Sequence, residues 1–185
     1  MSFAELKTKP IRAAAIAAAS VSACLLVYAS MSLDWLVYFD PDDHSSFGLR
    51  TVRQCFGDTC TTQGLAAMLD DAEKSGTLAS VGWVVSIAQW VAAAALLLAG
   101  GLAVVGKFVL RPVPPTSVAA LASIVALIST CLFIAVNPAR PEFQAGNGFW
   151  FGGVGAIGGL LASIFIARQR TPDWDETPPV DEDNW

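Results

Sequence analysis

The chain alternates four long apolar runs with polar, Pro- and Asp-containing connections. The runs extend from about Ile11 to Met31, Ser80 to Leu110, Ser117 to Val136 and Gly148 to Arg168. An α-helix rises ~1.5 Å per residue, so about 20 apolar residues cross a bilayer's hydrocarbon core. The pattern therefore predicts four transmembrane helices, the second of them long enough to tilt or protrude. Lys7, Lys9 and Arg12 before an Ala-rich stretch also fit a signal peptide. The first run, however, is longer than the ~7–15 residues of a secretory core, and Tyr28 and Trp35 lie where an aromatic belt falls. It is read as a retained helix.

The connection 32–79 is the one long enough for structure of its own. Trp35–Phe39 and Phe47–Phe56 are rich in aromatic and β-branched residues, and Pro41–Ser46 between them carries turn formers, which predicts a β-hairpin. Cys55 and Cys60 bracket a Gly-Asp pair able to reverse the chain. Leu65, Met68 and Leu69 then recur at helical spacing, predicting a short amphipathic helix over 64–74 that Gly76 ends. An isolated hairpin is marginal in water, so this one is expected to gain order from a disulfide and from the helix ends or a partner. His44, the only histidine, reads as a solvated residue in an Asp/Ser turn. The remaining connections are stiff or short: Arg111-Pro-Val-Pro-Pro115 and the loop beginning Asn137-Pro. Residues 169–185 have the acidic, Pro-containing composition of a disordered tail.

Charge gives the orientation. Lys7, Lys9 and Arg12, then Lys107 and Arg111, then Arg168 and Arg170 all fall on one side of the predicted bundle, so that side is read as cytoplasmic, with both termini on it and loop 32–79 outside. The protein is thus placed in a plasma or inner membrane. On the oxidising side Cys55 and Cys60 are expected to form a disulfide. A metal site would need further ligands, and no cofactor is expected. Hydrophobic residues make up 54% of the chain and charged ones 15%, and mean hydropathy is +0.54. The net charge of -5, from 11 Lys+Arg against 16 Asp+Glu, excludes a nucleic-acid binder.

No ionisable side chain interrupts the spans, which disfavours a pump or secondary transporter built by this chain alone. Gln89 is expected to hydrogen-bond another helix, and Cys24 and Cys131 to behave as small hydrophobes. Gly148-x-x-x-Gly152 and Gly155-x-x-x-Gly159 permit close helix approach, either within the bundle or against another membrane subunit or a second copy. Trp174 and Trp185 in the acidic tail are candidate contacts for a cytoplasmic partner. Phe149–Phe151, Trp83 and Trp90 read as interfacial or packing aromatics in contact with membrane lipid, with a lipid or quinone site between them as the alternative.

Trp35 after the first span, Phe47-Gly48-Leu49, paired loop cysteines and a short helix leading into the second span together resemble the claudin, peripheral myelin protein and epithelial membrane protein superfamily. Arg50 stands where that family has its second Trp, and four residues separate the cysteines where the family has a wider gap. The resemblance implies an all-α integral membrane four-helix bundle, claudin-like, carrying a small extracytoplasmic β-sheet in the first loop. It also implies a non-enzymatic role in contacts with neighbouring proteins, as an adhesion, structural or accessory subunit. Two other classes remain open. Four helices with extracytoplasmic cysteines also resemble the disulfide-bond-forming quinone reductases, in which Cys55 and Cys60 would cycle, although redox pairs usually have two intervening residues. Neutral residues could line a channel on oligomerisation.

Overall fold

The computed structural model describes residues 3–39, 43–57, 59–65, 72–105, 114–136 and 143–168. In chain order these form α1 (Phe3–Met31), β1 (Leu36–Phe39), β2 (Asp43–Phe47), β3 (Thr51–Phe56), β4 (Thr59–Gly64), α2 (Ala72–Val105), α3 (Pro115–Val136), β5 (Phe143–Ala145) and α4 (Asn147–Arg168). Each helix contains a stretch long and apolar enough to cross a membrane. Trp174 and Trp185 lie outside the described residues.

The helices form a four-membered bundle in which α1 packs against α2 and α4, and α3 packs against the same two. Its polarity is inverted in size. On α3, Ala119, Ser123, Ala126, Ser129 and Thr130 face inward, while Leu121, Val125, Ile128 and Leu132 face out. Helices in hydrocarbon gain nothing by hiding leucine from lipid, but gain dispersion by letting small residues bring backbones together. Several inward hydroxyls are satisfied within their own helices: Ser123 and Thr130 donate to the carbonyls of Ala119 and Ala126, and Ser163 to that of Gly159, each at 2.8 Å, whereas the buried Thr116 hydroxyl has no partner among the described residues. Proline starts α3 at its first position, where a missing N–H costs no hydrogen bond.

At one end of the bundle stands a five-stranded antiparallel sheet in the order β4-β3-β2-β1-β5. It departs from the predicted hairpin in three ways. Asp43–Phe47 is a strand, pairing with β1 from Leu36↔Phe47 to Phe39↔His44, so the turn formers around it occupy a shorter connection. The long apolar run Phe47–Phe56 is broken at Gly48–Arg50, where the Gly48 N–H reaches the Thr51 carbonyl at 2.8 Å and closes a tight turn. A fifth strand arrives from the connection between α3 and α4, pairing Leu36↔Ala145. His44 consequently lies in β2, half-buried, opposite Phe39 and Cys55, and not in a solvated turn.

The second helix also differs from expectation. It starts at Ala72 and passes through Gly76 without a break, because the helix continuing from Thr77 holds that residue in register. Residues 66–71, where Met68 and Leu69 lie, are outside the described residues.

Candidate functional site

The sheet and its seat on the bundle form the candidate site, and Trp35 is the centre of the seat. Its side chain is fully buried. The indole Nε1–H donates to the Ala29 carbonyl at 2.7 Å, one of the last-turn acceptors that α1 leaves without a helical partner. Its ring meets Phe133 of α3 edge-on, with centroids 5.5 Å apart and planes at 77°. The Trp35 backbone bridges two elements: its N–H donates to Phe47 of β2 at 2.8 Å, and its carbonyl accepts from Gly146 at 3.0 Å.

Glycine makes the opposite wall. A Cβ on Gly148 would stand 2.5 and 2.7 Å from Cδ1 and Nε1 of Trp35, and one on Gly152 would stand 3.2 Å from its Cη2 and 2.8 Å from Nε2 of Gln89. Two turns further along α4, a Cβ on Gly155 would meet the Ser22 carbonyl oxygen and the Leu26 side chain at 3.1 Å, and one on Gly159 would meet Leu96 at 2.7 Å and Ser123 Oγ at 2.9 Å. All four glycines singled out from sequence are therefore buried within the same chain, Gly148 against Trp35 and Ser32 just after α1, and Gly152, Gly155 and Gly159 against α1, α2 and α3. The seam they form is internal.

A second seat lies under the Gly48–Arg50 turn. Leu49 is buried, and Gly82 of α2 packs so closely that a Cβ there would overlap the Leu49 carbonyl oxygen. Gly146 packs equally closely on the Asp34 carbonyl oxygen. Phe47, Gly48 and Leu49 thus serve the docking of the sheet: Gly48 itself is confined by the Ser32 and Thr51 carbonyls at 3.0 and 3.2 Å, and Phe47 packs half-buried on the core around Trp35.

Neither Gly82 nor Gly146 stood out in the sequence. The available signal was a glycine in the otherwise bulky Val81-Gly-Trp-Val-Val85, and the pair in Gly146-Asn-Gly148.

Burial is greatest in the middle of the sheet, at β1 and β2, and falls toward both edges, where Gln144 and Ala145 of β5 are exposed. Leu36, Val37, Ser45 and Ser46 of β1 and β2 are buried; of the well-separated strand β3 only Val52 is; every residue of β4 is exposed. Cys55 and Cys60 are directly cross-strand partners in the β3–β4 hairpin and are joined by a disulfide, with Cα atoms 4.1 Å apart, the spacing of a non-hydrogen-bonded antiparallel pair. Gly57, at φ +55°, supplies the left-handed residue that the reversal between the two cysteines needs. Cys24 and Cys131 are free thiols on the outward surface of the bundle.

Gln89 departs from expectation. It is fully buried on α2 beside Gly152 and Trp35, and neither its amide nitrogen nor its amide oxygen has a hydrogen-bond partner among the described residues. Among the described residues no cluster of three or more His, Cys, Asp or Glu is placed to hold a metal ion.

No protein-family model matches the chain, and no curated protein matches it in sequence.

Proposed function

We propose that this integral membrane protein is a non-catalytic tetraspan that holds a disulfide-stapled sheet outside the cytoplasm and uses it to associate with neighbouring membrane proteins or with further copies of itself. The observation that carries the reading is the gradient across the sheet. The middle of the sheet is locked to the helix ends by Trp35, Leu49, Gly82 and Gly146, and Val52 of β3 and Leu65 beyond β4 join that core, while every residue of the edge strand β4 is exposed. An anchored sheet with an exposed edge suits recognition, because the docked middle removes the orienting entropy that a free hairpin would lose on binding.

Orientation follows the basic residues. Arg12 and Arg168 lie at the end of the bundle remote from the sheet, where Arg12 donates to the Ala103 carbonyl, and the positive-inside rule assigns that end to the cytoplasm. The sheet then faces an oxidising compartment, which suits its disulfide. On this reading the resemblance to the claudin superfamily is one of architecture: a Trp after the first span and a Gly-Leu turn seat a sheet on four helices. The acidic tail, with Trp174 and Trp185, is assigned to a cytoplasmic partner by its composition.

Purification in mild detergent, with identification and quantification of co-purifying proteins and of copy number, tests the proposal. A stoichiometric companion or a defined homo-oligomer is expected. A solitary monomer whose cysteines cycle between thiol and disulfide with a quinone would replace it with the thiol-oxidoreductase reading.

A further inference from the structure

We infer that Arg50 and Trp83 form a binding site for the headgroup of an anionic phospholipid in the leaflet next to the sheet, with an acyl chain lying along the outward face of α2. The Arg50 guanidinium carbon stands 5.1 Å from the centroid of the Trp83 ring, a cation–π placement. Arg50 has no carboxylate partner among the described residues, and it is exposed. Its position is not left to a flexible loop. Leu49 beside it is buried against the backbone at Gly82, the residue preceding Trp83, and the Arg50 carbonyl accepts from the Leu65 N–H at 2.9 Å. The turn therefore holds a cation directly over an exposed indole.

The height of this pair along the bundle decides which ligand it meets. Gln89 of α2 lies level with Gly152 of α4, and both helices run away from the sheet. Five residues back along each, at ~1.5 Å per residue, position 84 of α2 is level with Asn147, the first residue of α4. Trp83 thus sits at the plane where the neighbouring helix begins, and the first turns of α2 stand above it. That plane is the interface between hydrocarbon and headgroups, where tryptophan partitions and where a guanidinium reaches phosphate.

Below it the surface changes character. Trp83, Ile87 and Trp90, spaced i, i+4, i+7, form one outward stripe and are each about half exposed. A cation at the rim and an apolar stripe running about 10 Å down from it reproduce the order of phosphate and acyl chain in a phospholipid. Guanidinium matches phosphate bidentately, and stacking on the indole leaves its N–H edges free to do so. An anionic lipid is favoured over a zwitterionic one because the choline or ethanolamine cation would face Arg50 with like charge.

The site is independent of the proposed association through the β4 edge, so either reading can fail alone. The test uses the full-length protein in nanodiscs made of phosphatidylcholine with a minor fraction of phosphatidylglycerol, followed by native mass spectrometry of retained lipid. The wild type is expected to retain phosphatidylglycerol over phosphatidylcholine, and Arg50→Gln to lose that preference about tenfold, the scale of one charge-assisted contact. Arg50→Lys should keep part of it, since the charge remains and the stacked fork is lost. Trp83→Leu should weaken retention as well. Each variant's unfolding temperature and intact disulfide establish that the sheet is still seated, and Arg53→Gln, three residues along on β3 and exposed, serves as the charge control. Equal retention by wild type and Arg50→Gln would overturn the proposal, as would equal loss on Arg53→Gln. Displacement of the preference by inorganic phosphate alone, at concentrations that leave ionic strength unchanged, would assign the site to free anions and not to a lipid.

Discussion

The two ends of the bundle are packed by opposite means. From the middle of the membrane to the end remote from the sheet, the core is alanine apart from Leu26, Leu96 and Ile166. At the sheet end it is Trp35, Phe133, Leu36, Leu49, Leu65, Leu78, Val52 and Val85, with Ala29 the small exception. The difference follows the solvent. Between helices in hydrocarbon, burying a large side chain exchanges one apolar neighbour for another, so cohesion comes from close backbone approach. Where the sheet meets water, each Å² of apolar surface removed contributes about 25 cal/mol, and bulky residues repay their size. Trp35 joins the two regimes, large toward the sheet and flat against glycine toward the helices.

Exchanging the two modes should be costly in both directions. The largest effect is expected for Trp35→Ala, about 4 kcal/mol, since it removes an aromatic from a closed pocket and leaves the Ala29 carbonyl without its indole donor. Thermal unfolding in mild detergent measures it, and faster proteolysis of the 32–79 segment should accompany it. Next comes the reverse exchange, Gly159→Leu, which forces a branched side chain between Leu96 and Ser123 and should cost about 3 kcal/mol. Gly155→Leu should behave alike, because Leu26 and the Ser22 carbonyl oxygen stand in the way.

A smaller loss is predicted for Cys55→Ser with Cys60→Ser. The pair closes a loop of sequence separation 5, for which chain entropy gives about 2 kcal/mol, and the change is confined to the far end of the β3–β4 hairpin, away from the core residues Val52 and Leu65. Unfolding midpoints for the two sets of variants should therefore rank glycine above cysteine, and the reverse order would mean that the sheet, and not the helical seam, limits stability. The smallest effect is expected at Gln89, with the opposite sign. Gln89→Met replaces an amide whose two polar atoms have no partner among the described residues by an apolar chain of similar length, so stability should rise by about 1 kcal/mol or stay level. A clear loss would show that the amide is satisfied in the membrane by a group not among the described residues.

The four helices were legible because membrane spans are written in length and apolarity alone, and α1, α3 and α4 end at or within a residue or two of Met31, Val136 and Arg168 as the pattern implies. The disulfide, expected from the place of Cys55 and Cys60 in a loop read as extracytoplasmic, is present. The sheet was read only in outline. Asp43-His-Ser-Ser-Phe47 looks like a turn by propensity, and it becomes a strand because β1 on one side and β3 on the other supply its ladder partners. Strand β5 had no local signal, as three residues take their conformation from Leu36–Tyr38. Gly82 and Gly146 were missed because their role is set by the carbonyls of Leu49 and Asp34, which are distant in sequence. The α4 glycines announced a close seam, while the question of which helices share it was answered by the fold.

The central claim is that the exposed β4 edge of the sheet is the contact surface. It is tested most directly by placing arginines at Thr61 and Thr62, exposed neighbours on β4 whose side chains point to opposite faces, and measuring by native mass spectrometry what remains bound to the purified protein. The account predicts that the double variant keeps the wild-type unfolding temperature and its disulfide while losing its companion or its oligomeric state. Full retention of the wild-type complex by that variant would contradict it.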